Sequence, residues 1–347
     1  MDLARLGFAR ADLAVLPTPY EEVPRFAKAL GTGARVFLKR DDATGLALGG
    51  NKARKLEVLV GDAVSKGCDT LITCGGPQSN HARMTAAAAR KMGLHPVLVL
   101  DGADPGVRQG NLLLDHLLGA DIVFSGERSS GDMLEEVAAS LRSEGRKPYV
   151  IPLGGSNPLG AIGYISCVEE IVQQLRPLGL APTALYAATG SCGTLAGLIL
   201  GKIIFDAPFR IIGEVVSPSA ATKEERAVAL TLETAEILKS RASGQPELLR
   251  KLSAVTPQSV KAAFAVYDDQ VGEGYGIPTP QCIEAISLLA RNEGVLTDPV
   301  YTGKALAGMV QDLRQGKYGP KDAVIFLHTG GVPADFAYRE ALTKGRN

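Results

Sequence analysis

Short apolar runs, each bounded by glycine or a polar turn, alternate with segments of helical periodicity along most of this chain. No other feature constrains the fold as strongly. Residues 36–38 read as a strand and 52–64 as a helix. Further strands are predicted at 70–73, 96–100, 121–124, 148–151, 184–188 and 209–215. Between them, helices are predicted at 82–91, 110–118, 133–143, about 159–174 and from about 194. The strand runs are continuously apolar rather than alternating, as in strands buried on both faces of a parallel sheet. The pattern predicts an α/β protein with two open, twisted, mostly parallel sheets flanked by helices. Such sheets place ligands at the carboxyl ends of strands, in the strand-to-helix turns. The turns after residues 48, 73, 188 and 327 are therefore the places to look for chemistry. The segment 218–257 is helical and charged with little strand signal, and the polar tail 339–347 is expected to fray.

Composition narrows the function classes. The 347 residues, 46% of them apolar, suffice for roughly two domains of ~150 residues. A formal net charge of zero and the absence of tryptophan disfavour a nucleic-acid surface. No run approaches the ~18 apolar residues of a membrane span. The start, Met1-Asp2-Leu3-Ala4-Arg5, lacks the basic and apolar regions of a signal peptide. Five cysteines without a C-x-x-C pair read as reduced thiols of a cytoplasmic protein. Four histidines without ligand spacing give no metal site.

Five turns carry reactive or hydrogen-bonding residues. Gly49-Gly50-Asn51-Lys52 opens a helix, and a lysine where backbone amides gather can hold a carbonyl compound as a Schiff base. A lysine at a helix start is otherwise a solvated residue. Gly75-Gly76-Pro77-Gln78-Ser79-Asn80-His81 joins a strand to a helix; Ser79 or Asn80 serves there as N-cap or as a ligand contact. His81 sits inside the helix start, a poor place for direct chemistry. Thr189-Gly190-Ser191-Cys192-Gly193-Thr194 combines two glycines with small side chains and suits a monophosphate. It matches neither the P-loop nor the dinucleotide fingerprint. Asp298-Pro299-Val300-Tyr301-Thr302-Gly303-Lys304 and Leu327-His328-Thr329-Gly330-Gly331 each read singly as turns. Together, an amine on a glycine turn, a phosphate cradle and several hydroxyl-bearing turns are what pyridoxal phosphate needs.

Phe37-Leu38-Lys39-Arg40-Asp41-Asp42, Gly49 to Glu57, Gln78-Ser79-Asn80-His81 and Leu153-Gly154-Gly155-Ser156-Asn157 occur in this order. With Leu16-Pro17-Thr18-Pro19 and the turns at 298–304 and 328–331, they resemble the D-cysteine desulfhydrase / 1-aminocyclopropane-1-carboxylate deaminase family from about residue 12 to 338. The resemblance implies a fold-type-II pyridoxal-phosphate enzyme similar to tryptophan synthase β, and a homodimer. It implies a large cofactor-binding domain (1–53 and 165–347) and a small domain (54–164), with the cofactor in the cleft between them. Lys52 would carry the cofactor. Asn51, Asn80 and the loop Gly190, Ser191, Cys192, Gly193 and Thr194 would hold it, Tyr301 would face its ring, and Thr302 or Thr329 would meet the ring nitrogen. Gln78, Ser79, Asn80, Gly155 and Tyr275 would meet a small amino-acid substrate, with Lys52, Ser79, Tyr275 and Tyr301 taking part in catalysis.

Within that family the deaminase pattern has Glu in place of Thr302 and Leu in place of Thr329. A glutamate would keep the ring nitrogen protonated, whereas threonine offers a neutral hydrogen bond and a milder electron sink. Those positions point to β-elimination, from D-cysteine to pyruvate, ammonia and hydrogen sulfide. Cleavage of L-cysteate or another β-substituted alanine, the cyclopropane deamination and a non-catalytic cofactor carrier are the competing readings. Pro77, Thr279 and Pro280 depart from close relatives: Pro77 fixes φ and removes an N–H that would otherwise face the substrate, and Thr279 and Pro280 are expected to reshape the pocket mouth.

Overall fold

The computed structural model describes residues 3–343. The strands are β1 (Tyr20–Glu22), β2 (Arg35–Arg40), β3 (Thr70–Gly75), β4 (His95–Leu100), β5 (Asp121–Phe124), β6 (Pro148–Ile151), β7 (Ala184–Thr189), β8 (Arg210–Val215), β9 (Phe264–Tyr267) and β10 (Ala323–His328). They form a six-stranded sheet, ordered β1-β2-β10-β7-β8-β9, and a four-stranded sheet, ordered β5-β4-β3-β6. Neighbouring strands are parallel except β1, which runs antiparallel to β2 with Tyr20 opposite Lys39.

The helices are α1 (Pro24–Leu30), α2 (Lys52–Ser65), α3 (Asn80–Lys91), α4 (Gly110–Leu117), α5 (Ser130–Ser143), α6 (Pro158–Leu175) and α7 (Gly193–Phe205). They continue with α8 (Ala220–Arg241), α9 (Pro246–Ser253), α10 (Pro257–Ala263), α11 (Pro280–Glu293), α12 (Thr302–Arg314) and α13 (Arg339–Thr343). Among the described residues, no helix is long and apolar enough to cross a membrane.

Alternation along each strand builds the layers. In β10, Ile325 and Leu327 join the core formed with α6, α7 and α8, while Val324 and Phe326 join the core under α1, α11 and α12. Leu185 and Ala187 of β7 divide from Ala184 and Tyr186 in the same way. In the smaller sheet, Ile72, Cys74, Val97 and Val99 pack on α5, whereas Leu71 faces α2 and α3, and Leu98 and Leu100 face α3 and α4. Both faces of both sheets are covered, which is why the strands look uniformly apolar in sequence.

A buried charge network ties β2, α2 and α6 together. Arg54, two residues after Lys52, donates to both oxygens of Asp41 at 2.8 Å and to Glu170 at 2.8 and 2.9 Å. Lys39 reaches Glu170 at 2.9 Å, and the Tyr164 hydroxyl donates to Asp41 at 2.5 Å. Removing one member would strand a buried charge, at a cost of about 3–5 kcal/mol.

The elements that sequence reading left out are short or lie late in the chain. β1 has three residues and β9 four, too short for a periodic signal. The helical stretch 218–257 divides into α8 and α9, and α10 opens at its end. Of the tail 339–347, residues 339–343 form α13, while 344–347, like Met1 and Asp2, lie outside the described residues. The strands of the four-stranded sheet fall within 54–164 and those of the six-stranded sheet outside it, while the boundaries 53/54 and 164/165 cut α2 and α6. Thr279 and Pro280 form an ordinary helix start: Thr279 Oγ1 accepts from Cys282 N at 3.1 Å and Pro280 is the first residue of α11.

Candidate active site

The segments that leave β3, β6, β7 and β10 at their carboxyl ends converge on one cavity of about 280 Å³. Lys52, at the first position of α2, lies on its wall. The preceding turn is tight: a Cβ on Gly49 would lie 1.8 Å from Asp42 O, and one on Gly50 3.0 Å from Met84 Sδ. Thr44 Oγ1 locks it by accepting from Gly50 N at 2.8 Å and donating to Gly50 O at 2.9 Å. The Lys52 amine donates to Asn51 Oδ1 at 3.1 Å. Burial, then the charge of Arg83, brings its pKa from 10.5 to about 8, with Asp298 acting in the opposite direction.

Across the cavity, residues 190–192 lead from β7 into α7. Cys192 adopts φ 67°, the left-handed region, and turns the chain so that α7 starts at Gly193 beside the cavity. The 13-residue α7 presents its N-terminal N–H groups there, a natural anion seat. A Cβ on Gly193 would sit 2.5 Å from Ser156 Oγ and 2.6 Å from Lys55 Nζ, and one on Gly154 2.2 Å from Ser191 Oγ. These glycines keep the cradle open. Asn51 Nδ2 donates to Thr194 Oγ1 at 3.0 Å and closes it on the lysine side.

Sequence reading missed Lys55. It is buried on the cavity wall, three residues after Lys52 and so on the same helix face. Its amine donates to Gly154 O at 2.9 Å and to Ser156 Oγ at 3.1 Å. Burial, then the Lys52 charge, holds it well below the ordinary lysine range. Ser156 Oγ also accepts from Gly193 N at 3.1 Å and pairs with Ser191 Oγ at 2.7 Å. Lys223, Ser217 and Asp101 line the cavity as well. The helical i, i+3 spacing could have flagged Lys55; nothing local marks the others.

Ser79 and Asn80 open α3 on the wall that carries the β3 turn. Ser79 Oγ accepts from Ala82 N at 3.2 Å as N-cap and still has its hydroxyl proton to donate. Asn80 Oδ1 accepts from Asn111 Nδ2 at 2.9 Å, which leaves its NH2 as donor. His81 is buried against Thr73 Oγ1 at 2.9 Å, and that hydroxyl donates to Ile151 O at 2.8 Å. The imidazole Nε2 is therefore the donor to Thr73, and burial keeps the ring neutral. The rings of Tyr275 and Tyr301 lie 5.7 Å apart at 69°, with their hydroxyls hydrogen-bonded to each other. Burial raises both phenols, Tyr275 to about 12, so both are protonated donors at neutral pH.

Lys52, Asn51, Ser79, Asn80, residues 190–194, Tyr275, Tyr301 and Thr329 thus share one cavity. Three expected residues lie off its wall. Gln78 turns to α4, accepting from Asn111 N at 2.9 Å and donating to Gln109 O at 3.1 Å. Gly155 lies behind Gly154, and a Cβ there would be 3.3 Å from His81 Cε1. Thr302 is buried under the start of α12, its hydroxyl donating to Asp298 Oδ1 at 2.5 Å. The same Asp298 carboxylate accepts from Val300 N, Tyr301 N and Thr302 N at 2.8–2.9 Å. A helix N-terminus with hydroxyl and lysine N–H donors, facing a lysine whose pKa burial lowers to about 8 across a small cavity, fits pyridoxal phosphate.

The chain belongs to the pyridoxal-phosphate dependent enzyme family, whose sequence model matches residues 11–330, and its cofactor is pyridoxal phosphate. Within that class it is 41% identical over 341 residues to a D-cysteine desulfhydrase of Klebsiella pneumoniae (strain 342), covering 96% of this chain and 98% of that protein. A crystal structure described as an ACC deaminase homologue superposes with a TM-score of 0.85 at 38% identity, over 98% of this chain and 97% of that one. The processed form of threonine deaminase isoform 2 from Solanum lycopersicum shares the fold at TM-score 0.67 and 17% identity, covering 99% of this chain and 86% of that one.

Proposed function

We propose that this protein eliminates the β-substituent of a small amino acid, converting D-cysteine to pyruvate, ammonia and hydrogen sulfide. The observation that carries this reading is the neutral hydroxyl of Thr329 on the cavity wall, with no carboxylate at position 302 where the deaminase pattern has Glu. Thr329 lines the cavity and Thr302 is spent on Asp298. The 41% identical D-cysteine desulfhydrase supports the same substrate. Lys52 would hold the cofactor through its aldehyde, residues 190–194 with Lys55 would hold its phosphate, and Thr329 would offer a neutral partner to its ring nitrogen. Bound there, pyridoxal phosphate supplies an electron sink for the pair left at the substrate's Cα. Ser79 and the N-terminus of α3 receive the substrate carboxylate. Lys52, whose pKa burial lowers to about 8, would be the general base that takes the Cα proton. The sulfur leaves with its bonding pair, and hydrolysis of the remaining fragment yields pyruvate and ammonia. Tyr275 and Tyr301 offer protons near the departing group.

Four buried free thiols and one half-buried one, Cys68, suit a reducing cytoplasm for the described chain, and the family resemblance supports a homodimer. Chromatographic mass, expected at twice 36.3 kDa, tests the second point. The activity is tested by offering D-cysteine, L-cysteate, β-chloro-D-alanine and the cyclopropane amino acid in parallel. Pyruvate and sulfide from D-cysteine at the highest kcat/KM is the expected result. Preferential turnover of L-cysteate, or α-ketobutyrate from the cyclopropane substrate, would replace this reading, and no keto acid from any of them would leave a cofactor carrier.

A further inference from the structure

The amide of Asn80 is oriented from behind the cavity wall by a residue of another helix. Asn111, at the second position of α4, is fully buried and does not line the cavity itself. Its Nδ2 donates to Gln78 O at 2.8 Å and to Asn80 Oδ1 at 2.9 Å. Gln78 O is a backbone carbonyl and can only accept, so it decides which end of the Asn111 amide faces this corner. Turned over, that amide would set oxygen against oxygen at 2.8 Å. A donor at Asn111 Nδ2 then selects the oxygen end of the Asn80 amide. The Asn80 NH2 is thereby turned away from α4. Among the described residues no group accepts from it, and Asn80 lies on the cavity wall.

The corner is shaped for this approach. Gly110 has φ 58°, and a Cβ on it would fall 2.3 Å from Gln78 Oε1 and 3.0 Å from Pro333 O. Gln78 Oε1 accepts from Asn111 N at 2.9 Å and Gln78 Nε2 donates to Gln109 O at 3.1 Å, which fixes the start of α4 against the β3 turn. Asn111 Oδ1 is buried and has no hydrogen-bond partner among the described residues. The two bonds from Nδ2 are therefore the whole polar contribution of this side chain, and one of them goes to Asn80.

We propose that Asn111 is a positioning residue that holds the Asn80 amide with its NH2 toward the cavity, aimed at the phenolic oxygen of pyridoxal phosphate; this rests on the reading that the cofactor lies here with that oxygen toward Asn80. A donor already turned toward its acceptor loses less freedom on binding than one that must be ordered. A residue that only tied α4 to α3 would support the cavity as a whole and would not distinguish one atom of the cofactor from another.

Apoenzyme of the parent, Asn111→Ala, Asn111→Leu and Asn80→Ala is titrated with pyridoxal phosphate and with 3-deoxypyridoxal phosphate, which lacks the phenolic oxygen. Asn111→Ala is expected to raise the Kd of pyridoxal phosphate about fivefold and to leave that of the 3-deoxy compound within about twofold of the parent. Asn111→Leu fills the volume of the asparagine without its donors; it is expected to behave alike, and decides alone if Asn111→Ala does not fold. Equal weakening of both compounds, or weakening of neither, overturns the role of Asn111. Asn80→Ala tests the placement of the cofactor itself and is expected to show the same selective loss. Selective loss in Asn80→Ala but not in the Asn111 variants removes Asn111 and leaves that placement standing. Equal weakening of both compounds in Asn80→Ala removes the placement, and the role of Asn111 with it.

Discussion

Asn51 Nδ2 donates to Thr194 Oγ1 at 3.0 Å, joining the residue before the proposed cofactor lysine to the proposed phosphate loop 143 positions later. The same residue accepts from Lys52 Nζ at 3.1 Å and donates its N–H to Thr329 O at 3.0 Å. One asparagine therefore sets the spacing between three turns that line the cavity. Asn51→Ala removes the two side-chain bonds and keeps the backbone one. Loss of about 1 kcal/mol per bond predicts cofactor affinity lower by roughly five- to thirtyfold, read by titrating apoenzyme with pyridoxal phosphate.

Gly193→Ala should be more severe. The added methyl would fall 2.5 Å from Ser156 Oγ and 2.6 Å from Lys55 Nζ, inside the proposed phosphate cradle. Helix propensity favours alanine, so the fold is expected to stay intact by circular dichroism while cofactor binding is lost. Normal cofactor content after purification would show that the phosphate lies elsewhere.

The turns named from sequence all reach the cavity because parallel strands covered on both faces leave their carboxyl ends as the open edge of the sheet. Lys52, Ser79, Asn80, Thr194 and Thr329 were legible for that reason. Lys223, Ser217 and Asp101 were not, because the long-range fold brings them in and no local spacing marks them. Thr302 illustrates the opposite error. The family resemblance, with Glu at this position in the deaminase pattern, suggested a ligand, but a hydroxyl four residues after Asp298 is taken by that carboxylate as the helix starts. Gln78 was likewise claimed by the N-terminus of α4, a contact 33 residues away. The fold class was readable from periodicity, whereas β1 and β9 were too short to register.

Asp101 offers a handle on substrate choice. It lines the cavity at the end of β4, with Oδ1 accepting from Ser130 N at 3.0 Å. Its exposure lets solvent screen it, so its repulsion of an anionic β-substituent is worth on the order of 1 kcal/mol. Asp101→Asn is expected to raise kcat/KM for L-cysteate relative to D-cysteine by about fivefold, and more at low salt. An unchanged ratio at low ionic strength would place the sulfonate away from this carboxylate.

Glu214 of β8 makes stability fall with pH. It is buried against α12, where a Cβ on Gly308 would meet its carboxyl group at 2.4 Å. Burial first, then the charges of Asp312 and Asp269, raises its pKa from 4.5 to about 8, while Lys317 pulls the other way. Below about 4.5 the folded and unfolded chains both hold the proton. Between about 4.5 and about 8 only the folded chain holds it, so unfolding releases a proton and each pH unit lowers stability by up to about 1.4 kcal/mol. Above about 8 both forms are ionised and this slope ends. Glu214→Gln keeps the shape and removes the titration. Its urea midpoint is expected to match the parent near pH 4 and to exceed it by a margin that grows up to about pH 8. Parallel midpoint curves for the two proteins from pH 5 to pH 8 would mean that Glu214 ionises in the folded state at its ordinary pKa.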